Sequence, residues 1–209
     1  MQKYHKIETL YDSDEKTHKV IVGQWRLPEF GYLANNSWIF TEKVDGTNIR
    51  VMWDGDSVRF GGRDDDAQMR IPLLRILTPM FTKDKLAAVF PDATPMSGVC
   101  LYGEGYGAGI QKGGGLYKSD GVDFALFDVL VGTWWLKRAD VQDVGQNLGV
   151  TVVPVIGSGG LLDATAVVRA GIQSKWGDFP AEGLVLRPQV DLFTRSGERV
   201  IAKLKTRDF

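Results

Sequence analysis

From Trp38 to Trp53 the chain reads WIFTEK, then VDG, then TNIRVMW. Apolar and polar residues alternate on both sides of the break, which is the period of a half-buried strand. Asp-Gly between such runs is turn chemistry. The pattern recurs along the chain. SVRFGGR (57–63), SGVCLYGEGYG (97–107), VDFALFDVLV (122–131) and VTVVPVI (150–156, interrupted at Pro154) read as strands, as do EGLVLRP (182–188) and ERVIAKLK (198–205). Helical periodicity is confined to 72–90, with a break near Pro79, to 138–148, ending at Gly149, and to 163–175, with Asp163 as N-cap. QKGGGLYKSDG (111–121) reads as a loop. Many short strands, few helices and short turns predict an α+β fold of antiparallel sheets flanked by helices.

The 209 residues are expected to form one domain, 1–209, with ordinary composition and a net charge of −1. A protein gripping nucleic acid with its whole surface would be basic, so any such site here is a local patch. Cys100 is the single cysteine, which excludes an intrachain disulfide and suits a reducing compartment. With only His5 and His18 beside it, no zinc site is expected. The polar N-terminus and the lack of a long apolar run predict a soluble, intracellular (cytoplasmic) protein.

Two glycine-rich segments mimic nucleotide motifs. GEGYGA (103–108) follows a strand, as a dinucleotide fingerprint does, but opens into GIQKGGG rather than a helix. GGGLYKS lacks the glycine a P-loop needs before its lysine, where Tyr117 stands. Lys43 is a better candidate for chemistry. A strand-end lysine is ordinarily just solvated, but here Gly46 permits a tight turn and Asn48 follows within six residues.

EKVDGTN resembles the signature of the covalent nucleotidyltransferases, which comprise ATP-dependent DNA and RNA ligases and messenger-RNA capping enzymes. Asn48 is similar to the RNA ligase branch that seals nicks in duplex RNA, including the editing ligases. Four further stretches follow in that family's order: LYGEGYG with Glu104, FALFDVL with Phe127, AEGLVLRP with Glu182, and AKLKTRDF with Lys203 and Lys205. YHKIETL near the N-terminus resembles the family's opening segment.

The resemblance implies an adenylyltransferase (ATP-grasp-like ligase catalytic) fold, use of ATP and Mg²⁺ or Mn²⁺, and joining of RNA 5′-phosphate and 3′-hydroxyl ends. Lys43 would be the adenylated nucleophile. Glu42 would recognise adenine, Phe127 and Val185 would cover the faces of the base, and Glu104 would bind the ribose hydroxyls. Glu182 would hold a metal, and Asn48 would reach the metal through water or contact a phosphate. Arg63 would contact the nucleotide or the RNA end, unless it pairs with Asp64, Asp65 or Asp66. Lys203 and Lys205 would hold the α-phosphate. The residues support this independently at one point: Lys203 and Lys205 are two apart on a strand and share a face. Phe124 and Phe127 are three apart, so one of them faces the core. An ordinary lysine titrates near 10.4, leaving roughly one amine in a thousand neutral near pH 7.4. Nearby cations or a metal ion raise that fraction.

Only four residues follow Lys205, so no C-terminal OB or helical domain is expected. A minimal ligase, a separate protein supplying the missing surface and a truncated chain all fit. Lys112 and Lys118 are candidates for extra RNA-backbone contacts. Asp45 is common to DNA ligases and capping enzymes. An ATP-dependent DNA ligase, a GTP-using capping-type enzyme and a non-catalytic RNA-end or nucleotide-binding module are therefore the alternatives.

Overall fold

The computed structural model describes residues 3–64 and 67–209. Along the chain run β1 (Glu8–Thr9), β2 (Tyr11–Ser13), β3 (Val20–Trp25), α1 (Pro28–Tyr32), β4 (Trp38–Glu42), β5 (Thr47–Trp53) and β6 (Val58–Gly61). Then come α2 (Ile71–Met80), α3 (Lys83–Val89), β7 (Val99–Gly107), α4 (Gly114–Tyr117), β8 (Val122–Val131), β9 (Trp134–Trp135) and α5 (Arg138–Leu148). The chain finishes with β10 (Thr151–Val152), β11 (Val155–Gly159), α6 (Leu161–Ala170), β12 (Gly183–Pro188), β13 (Ala202–Lys205) and a single 3₁₀ turn, Thr206–Asp208. No helix among the described residues is long and apolar enough to cross a membrane.

These elements divide into two compact units. The Lys43 unit comprises 5–44 and 154–209, and the Asn48 unit comprises 3–4 and 45–153. The chain therefore changes unit between Val44 and Asp45, inside the EKVDGTN stretch.

The Lys43 unit is built on a five-stranded sheet of order β1-β13-β12-β4-β11, with a separate β2–β3 hairpin. Its pairs are antiparallel except β1–β13. Alternation sends Trp38 and Phe40, Leu184 and Leu186, and Ala202 and Leu204 to one face. There they pack with Leu161, Ala164 and Val168 of α6, and with Phe30. The opposite face carries Thr41, Val185 and Lys203 in one cross-strand row.

The Asn48 unit holds a six-stranded sheet, β10-β8-β7-β5-β6 with β9 beside β8, antiparallel except β10–β8. Ile49, Val51, Trp53, Leu101, Phe124 and Leu126 face a core closed by Leu73 and Leu77 of α2, Leu86 of α3, and Val141 and Leu148 of α5. This explains the fingerprint-like glycines. A Cβ at Gly103 would strike the Phe124 ring, and one at Gly105 would lie 2.9 Å from Leu73 Cδ2. The glycines clear the core face of β7 for its neighbours.

Several boundaries differ from the sequence reading. The break expected near Pro79 falls after Met80, and Thr82 restarts the helix by accepting the Lys85 N–H. The 111–121 loop contains the one-turn α4. Asp163 lies inside α6, where its carboxylate accepts the Gly160 N–H at 2.8 Å, and the helix stops at Gly171 instead of reaching 175. Residues 198–201 stay outside β13, because the Val200 N–H is taken by the Leu192 carbonyl. The N-terminal β1–β3 and α1 gave no periodic signal, being too short and mixed to show one.

Candidate functional site

Within the Lys43 unit, pairing continues one residue past β4: the Lys43 N–H donates to the Gly183 carbonyl at 2.9 Å. Gly183 is in turn opposite Lys205 on β13. The row Lys43–Gly183–Lys205 thus lies one step beyond Thr41–Val185–Lys203, and both rows share the face turned away from the core. A Cβ at Gly183 would collide with the Leu204 carbonyl oxygen, so glycine is what lets β13, with its two lysines, close on β12.

Glu182 bridges the two ends of that row. Its carboxylate accepts from Lys43 Nζ at 2.5 Å and pairs with Lys205 Nζ at 2.9 Å. The side chains of Lys43, Glu182 and Lys205 are 22%, 16% and 18% exposed, shielded enough for their charges to interact strongly while remaining reachable. Burial alone would raise the Glu182 carboxyl, but Lys43 and Lys205 outweigh it and hold the carboxyl below its usual value. The Lys203 amine is lowered, first by burial and then by repulsion from Lys205 and Lys43. Two ammonium groups therefore flank one carboxylate, and a third lies near them on the same sheet face, an excess of positive charge.

Glu42 is held by the protein itself. Adjacent to Lys43 on a strand, it turns to the other face and is 2% exposed. Its carboxylate accepts from Ser174 Oγ at 2.6 Å and from the Lys175 N–H at 2.8 Å, tying residues 174–175 to β4. Each oxygen accepts one of these bonds, so the carboxylate keeps further acceptor capacity.

In the Asn48 unit, Asn48 on β5 stands opposite Glu104 on β7. Both are on the sheet face that also carries Arg50 and Tyr102, away from the core. The Asn48 amide oxygen is buried with no hydrogen-bond partner among the described residues. Gly46 approaches β7 so closely that a Cβ would strike the Gly105 carbonyl and lie 2.7 Å from Glu104 Cγ. The choice between the two phenylalanines follows from a bulge. Register shifts between Tyr102 and Gly103, leaving Phe127 unopposed on β8. Phe124 is fully buried against Phe81, whereas Phe127 is half-buried and meets the edge of Tyr4 at 5.1 Å. Arg63 is exposed. Of its suggested partners, Asp64 pairs with Lys3 at 3.4 Å, while Asp65 and Asp66 lie outside the described residues. Lys118 pairs with Asp123 at 2.9 Å and Lys112 is exposed.

Three features escaped the sequence reading. Asp45 accepts the Gly113 N–H at 3.1 Å and so anchors the glycine loop. Arg187 shares the face of Val185 and Lys203, which the two-residue spacing from Val185 could have revealed. Tyr4 holds Asp128 through its hydroxyl at 2.8 Å while bracing Phe127, a contact 124 residues apart that no local pattern signals. Burial pushes the Cys100 thiol up to about 11, which removes it as a competing nucleophile.

No three His, Cys, Asp or Glu gather as a metal cage among the described residues. A divalent metal nevertheless fits the donor set, because Mg²⁺ commonly binds through one or two carboxylates plus substrate phosphates. Glu182 would be such a carboxylate once it releases one of its lysine partners.

Residues 36–205 match the model of a family described as RNA ligase. No curated protein sequence matches this chain. Solved structures of Naegleria gruberi RNA ligase share the fold. With PPi the TM-score is 0.66 at 21% identity, covering 98% of this chain and 62% of that one. With AMP and Mn it is 0.68 at 19%, covering 97% and 60%. A mutant with ATP and Mn gives 0.70 at 19%, covering 98% and 56%. The chain thus spans less than two thirds of the length of the ligase it resembles.

Proposed function

We propose that this chain, which belongs to the RNA ligase family, takes adenylate from ATP onto Lys43 and passes it to the 5′-phosphate of an RNA end. The observation that supports this most is the row joining Lys43 to Lys205 through Glu182, with Lys203 on the same face. The Lys43 amine must first shed a proton to solvent and give up its ion pair with Glu182 Oε2, 2.5 Å away. The neutral amine attacks the α-phosphorus, the P–N bond forms, and the bond to pyrophosphate breaks. Lys203 and Lys205 neutralise charge on the phosphate oxygens, where phosphoryl transfer is mostly catalysed. The amine of Lys203, already lowered by burial, is held close to the nucleophile's charge. A bound Mg²⁺ or Mn²⁺ would supply further charge neutralisation at those oxygens, with Glu182 as its ligand and Asn48 acting through water.

The 5′-phosphate oxygen of the RNA then attacks the adenylate phosphorus and Lys43 leaves. Finally a 3′-hydroxyl attacks the activated end, AMP departs and a phosphodiester forms. Nicked duplex RNA is the proposed substrate, and a separate protein is proposed as a further partner. Val185, on the Lys203 row, and Phe127, left outside the core by the bulge, are assigned to the base; Glu104 is assigned to the ribose and Arg63 to the RNA end.

Intact mass before and after incubation with ATP and Mg²⁺ tests the first step. A gain of one AMP is expected, absent with GTP and absent in Lys43→Ala. Labelling of Lys43→Ala at the wild-type level would refute the assignment. Nucleotide binding without an adduct would make the chain a binding module. Competition between RNA and DNA nicks reads the polymer.

A further inference from the structure

We propose that Thr206 and Asp208, in the turn that follows β13, are positioning residues for adenylation: they fix the backbone of Glu182 and Lys205 so that the two side chains meet. This rests on the adenylation reading above.

The β12–β13 ladder ends with Gly183 opposite Lys205, so Glu182 lies one residue outside it, where a strand end has no partner of its own. Thr206 supplies the missing bonds. Its N–H donates to the Glu182 carbonyl at 2.9 Å, and its hydroxyl donates to the Ala181 carbonyl at 3.1 Å. These carbonyls belong to the two peptide groups on either side of the Glu182 Cα. One residue therefore fixes both planes from which the Glu182 side chain springs. Asp208 acts on the other partner: its carboxylate accepts the Lys205 N–H at 3.0 Å. The turn is itself anchored. Lys19 Nζ donates to the main-chain oxygens of Arg207 at 3.0 Å and Phe209 at 2.6 Å. The Phe209 ring packs on the core of the Lys43 unit, with the Arg169 guanidinium 5.8 Å from its centroid.

These bonds bear on chemistry because of what they hold. The Glu182 carboxylate is shared between Lys205 at 2.9 Å and Lys43 at 2.5 Å, so a shift of its Cα displaces both amines. Rates fall steeply with misplacement, by about 100-fold for 1 Å. Thr206 and Asp208 act through Glu182 and Lys205, so their loss should slow the reaction at saturating ATP more than it raises the ATP requirement.

The test is single-turnover adenylation, read by intact mass with ATP and Mg²⁺ and divided by the folded fraction. Thr206→Val keeps the shape and removes the hydroxyl, and Asp208→Ala removes the acceptor. Each should slow adenylation at saturating ATP by roughly 3- to 10-fold, the equivalent of one hydrogen bond, with KM for ATP moving less than about twofold. Thr206→Ser and Asp208→Asn keep a donor and an acceptor and should restore the wild-type rate. Amide exchange at residues 181–183 should accelerate in Thr206→Val and not in Thr206→Ser. Wild-type rates in Thr206→Val and Asp208→Ala would overturn the proposal, as would equal losses in all four variants or a loss confined to KM. If the wild type gains no AMP, the adenylation reading fails and this proposal with it; if it gains AMP and the variants match it, only the positioning role fails.

Discussion

Glu182→Gln removes a charge while keeping shape. In the wild type its carboxylate serves two ammonium groups, Lys43 at 2.5 Å and Lys205 at 2.9 Å. The glutamine carbonyl can still accept from one of them. Its NH₂ then faces the other, a donor against a donor. One charge-assisted hydrogen bond is lost and the other weakened, each worth about 1.5–3 kcal/mol. All three side chains retain some exposure, which moderates the penalty of a fully buried pair. The expected loss at pH 7 is about 2–4 kcal/mol, or roughly 5–15 °C in unfolding midpoint for a chain of this size. The pH dependence has a definite sign. Glu182 is held below its usual value in the fold, so its contribution is complete above the ordinary carboxylate range and disappears as pH falls through the lowered value. Thermal melts of both proteins from pH 7 down to pH 3 should therefore converge only at the acid end. A cycle with Lys205→Met should show coupling of about 1 kcal/mol or more. Equal stability at pH 7, or a gap that does not shrink in acid, would refute the bridging role.

Lys203→Met should behave in the opposite sense. A buried, repelled amine costs stability while charged and less as pH rises toward 10.5, so the variant should melt higher than wild type near neutral pH, with the gain fading in alkali, while adenylation falls. Phe124→Ala should cost about 3–5 kcal/mol by denaturant titration, because it opens a cavity beneath β8. Phe127→Ala should cost about 0.5–1.5 kcal/mol from its edge contact with Tyr4, yet raise KM for ATP far more than Phe124→Ala does in its folded fraction. Gly46→Ala should destabilise by about 1–3 kcal/mol, because its Cβ meets β7, with adenylation kinetics reporting the displaced Asn48 strand.

Local chemistry made much of this protein legible in advance. Strand alternation and Asp-Gly predicted β4, β5 and the turn between them, and a two-residue spacing placed Lys203 and Lys205 on one face. Period-two reasoning also determined that one of Phe124 and Phe127 must be core. It failed to say which, because the answer is a bulge, and a bulge is a property of two paired strands and not of one. The same limit hid the turning of Glu42 toward Ser174 and the bracing of Phe127 by Tyr4.

The sequence alone determined which side chains could perform chemistry and, through periods of two, which of them could share a strand face. Only the tertiary structure decided which strands became neighbours. Cross-strand partners are chosen by the burial of whole sheet faces, a long-range sum no local window contains. That choice set Lys43 and Lys205, 162 positions apart, on either side of Gly183 and brought a single carboxylate between their amines.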